Sequence, residues 1–471
     1  MTLIRFAACA GLAGVLAGCS VGPNYHRPSV ALPANWAEAG PGGTTNAGSH
    51  LAQWWKVFQD PVLNSLITRA VKSNYTLKAA EARVRAARAL RGAALAAFLP
   101  TIDANGTYTV ARRSASGLSF RVNTLDTETY QAGFDASWEI DVFGGERRAL
   151  QEANATLQSI EDDRRDVLVS LLAEVARSYV GLRGTQKRLA IARQNIDAEQ
   201  ETVNITQLRF AQGLASELDV SQAKALLATT RAQVPALVTA LKQSSHQLSV
   251  LLGQPPGALD SLFTNSAPIP PTPPEVPVGL PSQLLLRRPD VRSSERQLAA
   301  ATAAIGVAEA ELFPKFSLLG NAGYQSLKLG SLISPASEFW SAGPSVTWRL
   351  LEYPRLRAEV KSQSAQAQQA LAQFNQTVLT ALQDVEDQLV AYAQEKQRYL
   401  ALDEAVAESR QALDLSRRLY TEGVGEFLNV LEAERSLYQA EDALVQSQDS
   451  VSVDLVALYK ALGGGWETAT D

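Results

Sequence analysis

The sequence predicts an α+β membrane protein in which one unit, two strands followed by a long helical hairpin, is used twice. Three observations predict it. Landmark residues recur at a fixed spacing: Trp138, Phe210, Gly213, Val220 and Gly253 are answered 210 residues later by Trp348, Tyr420, Gly423, Val430 and Gly463. An apolar seam runs through both copies with a period of seven. Its ascending limbs carry Leu168, Val175, Leu182, Leu189, Ile196, Val203 and Phe210, then Val378, Val385, Tyr392, Tyr399, Val406, Leu413 and Tyr420. Its descending limbs carry Val220, Leu227, Val234, Leu241 and Leu248, then Val430, Leu437, Leu444, Val451 and Leu458. A heptad seam sustained this long selects helices packed side by side. The third observation is a change of period from helical to two ahead of each hairpin, which reads as strands.

In chain order, residues 1–18 read as an export signal, with Arg5 followed by the apolar run Phe6 to Leu16. The run ends Leu16-Ala17-Gly18-Cys19, which resembles a lipobox, so Cys19 is expected to become the lipidated first residue. Each buried CH₂ of an acyl chain is worth about 0.8 kcal/mol, and two chains already anchor a protein stably. Ser20 resembles the residue that sorts lipoproteins to the outer membrane. Residues 19–60 are rich in Pro, Gly and Ser without periodicity and read as an extended tether.

The first repeat is placed at 61–253. Helix begins at Pro61, with Leu63, Leu66, Ile67, Ala70 and Val71 at helical spacing, and stops at Phe98-Leu99-Pro100. Ile102, Ala104, Gly106, Tyr108 and Val110 then alternate with polar residues, as do Tyr130, Ala132, Phe134, Ala136, Trp138 and Ile140. A Pro-rich connector occupies 254–281, and the second repeat is placed at 282–463, before a C-terminal tail at 464–471. Its helix stops at Phe313-Pro314. Its alternating runs are Phe316, Leu318, Gly320, Ala322 and Tyr324, then Trp340, Ala342, Pro344, Val346, Trp348 and Leu350. Each run is about the 9–11 residues that a tilted strand needs to cross a bilayer, with aromatic residues near the ends. Four strands cannot close a barrel, and an open edge cannot sit in lipid, so the chain must oligomerise. Two chains would give eight strands and a filled lumen; three give twelve and a water path, and three is the better reading.

The hairpin turns match one another. Gly213-Leu214-Ala215-Ser216 stands where Gly423-Val424-Gly425-Glu426 stands in the second copy. Both glycines suit a left-handed helix C-cap, and Ser216 with Asp219 reads as a capping box.

Composition excludes more than it assigns. A net charge of −5 argues against a nucleic-acid partner. Both cysteines lie in the first nineteen residues and the three histidines are far apart, so neither a disulfide framework nor a metal centre within one chain is expected. No phosphate loop and no nucleophile with an orienting base is present, so no enzymatic activity and no cofactor are expected. Past the N-terminus no apolar run is long enough for a transmembrane helix.

The Gly22-Pro23-Asn24-Tyr25-His26-Arg27-Pro28 opening behind a lipobox resembles the outer-membrane factor family, the TolC-like efflux channels, in the lipidated branch that serves resistance-nodulation-division pumps. Leu284-Leu285-Leu286-Arg287-Arg288-Pro289-Asp290-Val291, the paired strand entries at Pro100 and Pro314 and the duplicated hairpin carry the same resemblance. It implies a homotrimer, with a twelve-stranded transmembrane β-barrel on a periplasmic α-helical barrel. It also implies an outer-membrane efflux channel for drugs or toxic compounds, whose partners are a periplasmic adaptor, an inner-membrane pump and outer-membrane lipid. The turns would dock the adaptor. Asp219, Asn429 and Glu432 would line a periplasmic gate held shut by bonds to Arg417, Arg418 and Tyr420 on neighbouring limbs. The alternatives are a lipid-anchored adhesive coiled coil without a conduit and an export channel for a secreted protein.

Overall fold

The computed structural model describes residues 20–40, 44–45, 51–112 and 126–469. The expected signal peptide and Cys19 lie outside the described residues. The chain divides into two compact units, 1–29 with 84–160 and 293–374, and 30–83 with 161–292 and 375–471.

The first unit holds a four-stranded antiparallel sheet in the order β2–β3–β5–β6, from Thr101–Arg112, Asp126–Ile140, Lys315–Ser326 and Glu338–Thr347. Its register puts Ala104 beside Phe134, Phe134 beside Ala322, and Ala322 beside Trp340. Because side chains alternate across a strand, every apolar position of the four runs falls on one face. Ile102, Tyr108, Val110, Phe134, Leu318, Trp340 and Val346 are all exposed on that face. The other face carries Asp103, Asn105, Asp135, Asn321 and Ser341; Asn105 bonds Asp135, and Ser341 bonds Asn321 at 2.9 Å. Pro344 lies on β6, which is an edge strand within one chain.

Two departures from the sequence reading appear here. The second strand starts at Asp126, ahead of Tyr130, and the fourth stops at Thr347. Trp348 and Leu350 therefore lie outside the fourth strand. Trp348 Nε1 instead donates to the Leu312 carbonyl at 3.1 Å, as Trp138 Nε1 does to that of Phe98 at 3.0 Å. Each indole thus satisfies a carbonyl left over where a helix ends before proline.

At the foot of the sheet, residues 20–27 are strapped down. Arg148 donates to the carbonyls of Val21 and Gly22 and to Asn24 Oδ1, each at 2.9 Å. Tyr25 and Arg27 both reach the Glu295 carboxylate at 2.9 Å.

The second unit contains α1 (Pro61–Ser73) and the turn-proximal parts of four long helices: α3 (Gly145–Ala211), α4 (Glu217–Leu251), α7 (Tyr353–Thr421) and α8 (Phe427–Ala461). α2 (Tyr75–Ala96), α5 (Pro281–Arg287) and α6 (Pro289–Ala310) complete the helices. A helix of 67 residues spans about 100 Å at 1.5 Å per residue. The heptad seam is the core: Leu168, Val175, Leu182, Leu189 and Val203 are buried on α3, and Val378, Val385, Tyr392, Val406, Leu413 and Tyr420 on α7. Phe210 breaks the pattern, being 46% exposed where its counterpart Tyr420 is 7% exposed.

Three further expectations need correction. The single helix expected from Pro61 breaks at Asn74, whose side chain caps Leu77 N at 2.9 Å and donates to the Leu251 carbonyl at 2.9 Å. Residues 54–58 are not an extended tether but a 3-10 turn with Trp54, Trp55 and Phe58 buried, Trp54 stacking on Tyr459 at 5.3 Å. The Pro-rich connector is likewise packed: Leu259, Phe263, Ile269, Val276 and Val278 are buried, and β4 (Val276–Pro277) pairs in parallel with β1 (Thr44–Thr45). In the last two cases isolated apolar residues are buried without the periodicity that would announce them. Among the described residues no helix is long and apolar enough to cross a membrane.

Candidate functional site: the hairpin turns

Both ascending helices end in the same hydrogen-bonded turn. Leu214 N bonds the Arg209 carbonyl at 2.8 Å and Gly213 N that of Phe210 at 2.9 Å. In the second copy Val424 N bonds Leu419 at 2.9 Å and Gly423 N bonds Tyr420 at 3.1 Å. This pair of bonds needs a left-handed residue at the glycine, and φ is +75° at Gly213 and +76° at Gly423. An added Cβ would meet nothing within 4 Å at either glycine, so the backbone angle alone sets the requirement.

The descending starts differ. Ser216 and Asp219 form the expected capping box, with Asp219 N on Ser216 Oγ at 3.2 Å and Ser216 N on Asp219 Oδ2 at 2.9 Å. Glu426 makes no side-chain cap, and Asn429 N bonds only the Glu426 carbonyl at 3.2 Å. Ala215 and Gly425 are half-buried, while Leu214, Leu218, Val424 and Leu428 are exposed, so each turn presents apolar side chains to solvent.

The gate residues are not brought together within one chain. Asp219 is held in its capping box. Glu432 pairs with Arg435 at 3.0 Å on its own helix, and Arg418 pairs with Asp414 at 3.4 Å on its own. Tyr420 packs on Phe427 at 5.4 Å under the Arg209 guanidinium at 4.5 Å, and its hydroxyl is buried without a partner. The expected bonds from Arg417, Arg418 and Tyr420 to Asp219, Asn429 and Glu432 are absent from the protomer, because each charged group finds a partner nearer on its own helix or in the core.

Arg417 leads to what sequence reasoning missed. It donates to Glu434 at 2.8 Å, and Thr202 donates to the same carboxylate at 2.6 Å. Glu199 beside them accepts from Thr230 at 2.8 Å. Glu199 and Glu434 are each 1% exposed. The signal lay in a second seam three residues after the first, read as Leu171, Ser178, Thr185, Ala192, Glu199 and Thr206, where polar residues stand at core positions. The duplication hides the cluster, since Lys224 stands opposite Glu434, Ser409 opposite Glu199 and Gln207 opposite Arg417.

Among the described residues no group of three or more His, Cys, Asp or Glu could hold a metal ion.

Comparison with known proteins bears on the fold as a whole. The model of the family described as "Outer membrane efflux protein" matches residues 66–254 and 280–464. The pyoverdine export outer membrane protein OpmQ of Pseudomonas aeruginosa is 34% identical over 472 residues, covering 96% of this chain and 95% of that protein. Nodulation protein T of Rhizobium leguminosarum bv. trifolii is 32% identical over 456 residues, covering 96% of each. The solved outer-membrane channel OprN superposes with a TM-score of 0.90 at 36% identity, covering 95% of this chain and 100% of that one. The open state of the Neisseria gonorrhoeae MtrE outer membrane channel gives a TM-score of 0.83 at 28% identity, covering 96% of this chain and 100% of that one.

Proposed function

This chain belongs to the outer membrane efflux protein family, and we propose that it is the outer-membrane conduit of a three-part pump exporting small toxic molecules. The observation that carries this is the sheet. It exposes one continuous apolar face and leaves the outer edges of β2 and β6 unpaired. Unpaired edges are not tolerated in lipid, so other copies must complete the wall, and three copies supply twelve strands around a water path. A lipid-anchored adhesive coiled coil would need no such sheet. Nothing in this role requires catalysis.

The anchor, the docking turns and the gate complete the proposal. Cys19 carries the lipid, and the two turns with exposed Leu214 and Val424 receive a periplasmic adaptor that links the conduit to an inner-membrane pump of the resistance-nodulation-division type. Asp219, Asn429 and Glu432 from three protomers close the tip through bonds between chains. Purified protein in a planar bilayer should conduct; a preparation that never conducts would overturn the conduit reading.

Labelled palmitate incorporation should vanish in Cys19→Ser, while exported protein stays in the membrane fraction because the sheet supplies its own membrane residence. Release of the variant into the soluble fraction would argue against the barrel. Tyr420→Phe with Arg418→Ser should raise single-channel conductance and sensitise cells to large antibiotics such as vancomycin. Within one chain these changes remove little: the Arg418–Asp414 pair is exposed on both sides, and such pairs are worth about 0–1 kcal/mol. Any gain in conductance therefore comes from contacts between protomers, and wild-type conductance would remove the gate assignment.

A further inference from the structure

We infer that Glu199 is a proton-carrying latch: neutral, it lets the two helical hairpins of one chain stay packed near their turns, and ionised, it repels Glu434 of the other hairpin and releases them. The inference rests on the conduit reading, since the closed tip is what such a latch would govern.

The cluster draws on all four long helices: Glu199 and Thr202 from α3, Thr230 from α4, Arg417 from α7, and Glu434 and Tyr438 from α8. Around it pack Val203, Leu227, Val406, Leu413, Val430 and Leu437, an apolar surround that cannot solvate a lone charge. Charge counting then decides the protonation. The cluster holds two buried carboxylates and one guanidinium, and that guanidinium is bound to Glu434. Glu199 Oε2 is buried and meets no donor. A proton on Glu199 is the remaining way to balance the site, because an uncompensated buried carboxylate costs more than its neutral form.

The surroundings offer no other remedy. On α3 Glu201 adds negative charge near Arg417. On α4 Arg231 turns out to Gln200 at 2.9 Å. On α7 Arg410 is taken by Glu441 of α8 at 2.7 Å. Tyr438 is held in its neutral form by burial and by Glu434, and its hydroxyl is buried without a partner. Burial, reinforced by Glu434 and opposed by the Thr230 bond, pushes the Glu199 carboxyl up to about 7.

A raised folded-state value fixes the direction. From the usual 4.5, the folded form holds its proton more tightly than the unfolded chain does. The latch is fully present below the lower value, weakens as pH rises through the interval, and is lost above about 7.

Hydrogen exchange of the full-length protein in detergent tests this, with rates corrected for their intrinsic pH dependence. Between about pH 5.5 and 8.5 the helix segments around 199, 230, 417 and 434 should lose protection by roughly tenfold or more, the factor that one pKa unit carries. Glu199→Gln keeps the shape and should flatten that dependence. Thr230→Val removes the bond that favours the ionised form, so it should move the transition to higher pH. Asp449 and Asp454, also pushed up to about 6 by burial, titrate further along α8, and only the difference between wild type and Glu199→Gln assigns the effect. Protection independent of pH in the wild type, or a transition unchanged in both variants, overturns the latch. Conductance without the transition sinks the latch alone, whereas the transition without conductance sinks the conduit reading.

Discussion

Gly323→Ala should leave almost no assembled protein in the outer membrane, while Gly320→Ala on the same strand should assemble like wild type. Gly323 faces Gly133 across the β3–β5 ladder, which joins the strand pair of the first repeat to that of the second. A Cβ on Gly323 would stand 2.4 Å from the Ala132 carbonyl oxygen and 2.7 Å from Gly133 Cα, both backbone atoms that cannot swing away. A Cβ on Gly133 would stand 2.6 Å from the Ala322 oxygen, so Gly133→Ala should fail in the same way. At Gly320 the nearest atoms lie at 3.8 and 3.9 Å, which is ordinary contact. Overpacking of this kind costs about 1–3 kcal/mol per site, and a trimer meets the cost three times. The measurement is the amount of unheated oligomer on a gel of outer-membrane fractions. Equal yields for Gly320→Ala and Gly323→Ala would show that the ladder tolerates a shift there, and the two repeats would not depend on this close approach.

The sheet and the hairpins were legible because each is periodic, and period is what a single sequence displays. Alternation at Ile102 to Val110 and at Phe316 to Tyr324 put the apolar residues on one face, as the register confirms. The heptad at Leu168 to Val203 returned as the buried seam of α3. What lacks a period was misread. Trp54 and Phe58 sit in a Pro- and Gly-rich stretch, and nothing in their spacing tells that Trp54 stacks on Tyr459 with Phe58 buried beside it. Asn74 looks like one polar residue in a helix, yet its side chain caps Leu77 of the next helix and reaches the Leu251 carbonyl, which makes it a break.

At the turns, legibility follows how far a feature is local. Gly213 and Gly423 announce a backbone angle that other residues resist, and Ser216 with Asp219 announces a cap made within one turn of helix. Partners across helices are set by packing instead. Phe210 and Tyr420 occupy the same place in the repeat, yet one is exposed and the other buried, because only Tyr420 has Phe427 and Arg209 around it. The Glu199 cluster is the extreme case: its members come from four helices and have no counterparts in the other copy.

Arg288→Met should lower the melting temperature of the helical unit by about 5–10 °C, from about 2–3 kcal/mol of lost stability. The segment Arg287-Arg288-Pro289-Asp290-Val291 belongs to the stretch that carries the family resemblance, and Arg288 shows why those residues stand in that order. Its guanidinium donates twice to Asp290, at 3.0 and 2.7 Å, and once to Asp384 at 3.0 Å. It also donates to the Ala461 carbonyl at 3.1 Å, one of the last carbonyls of α8 and left without a helical partner. Pro289 starts α6 without needing an amide hydrogen, which leaves Asp290 in place to receive the fork. Gly463 must be glycine here, since its φ is +71° and a Cβ would lie 3.0 Å from Arg288 Cγ. The stated loss is kept below that of a wholly buried pair, because Asp384 is half exposed and water recovers part of its charge. Lysine keeps the charge but not the planar fork, so Arg288→Lys should recover only part of the loss. A variant that melts like wild type would release the motif from this clamp.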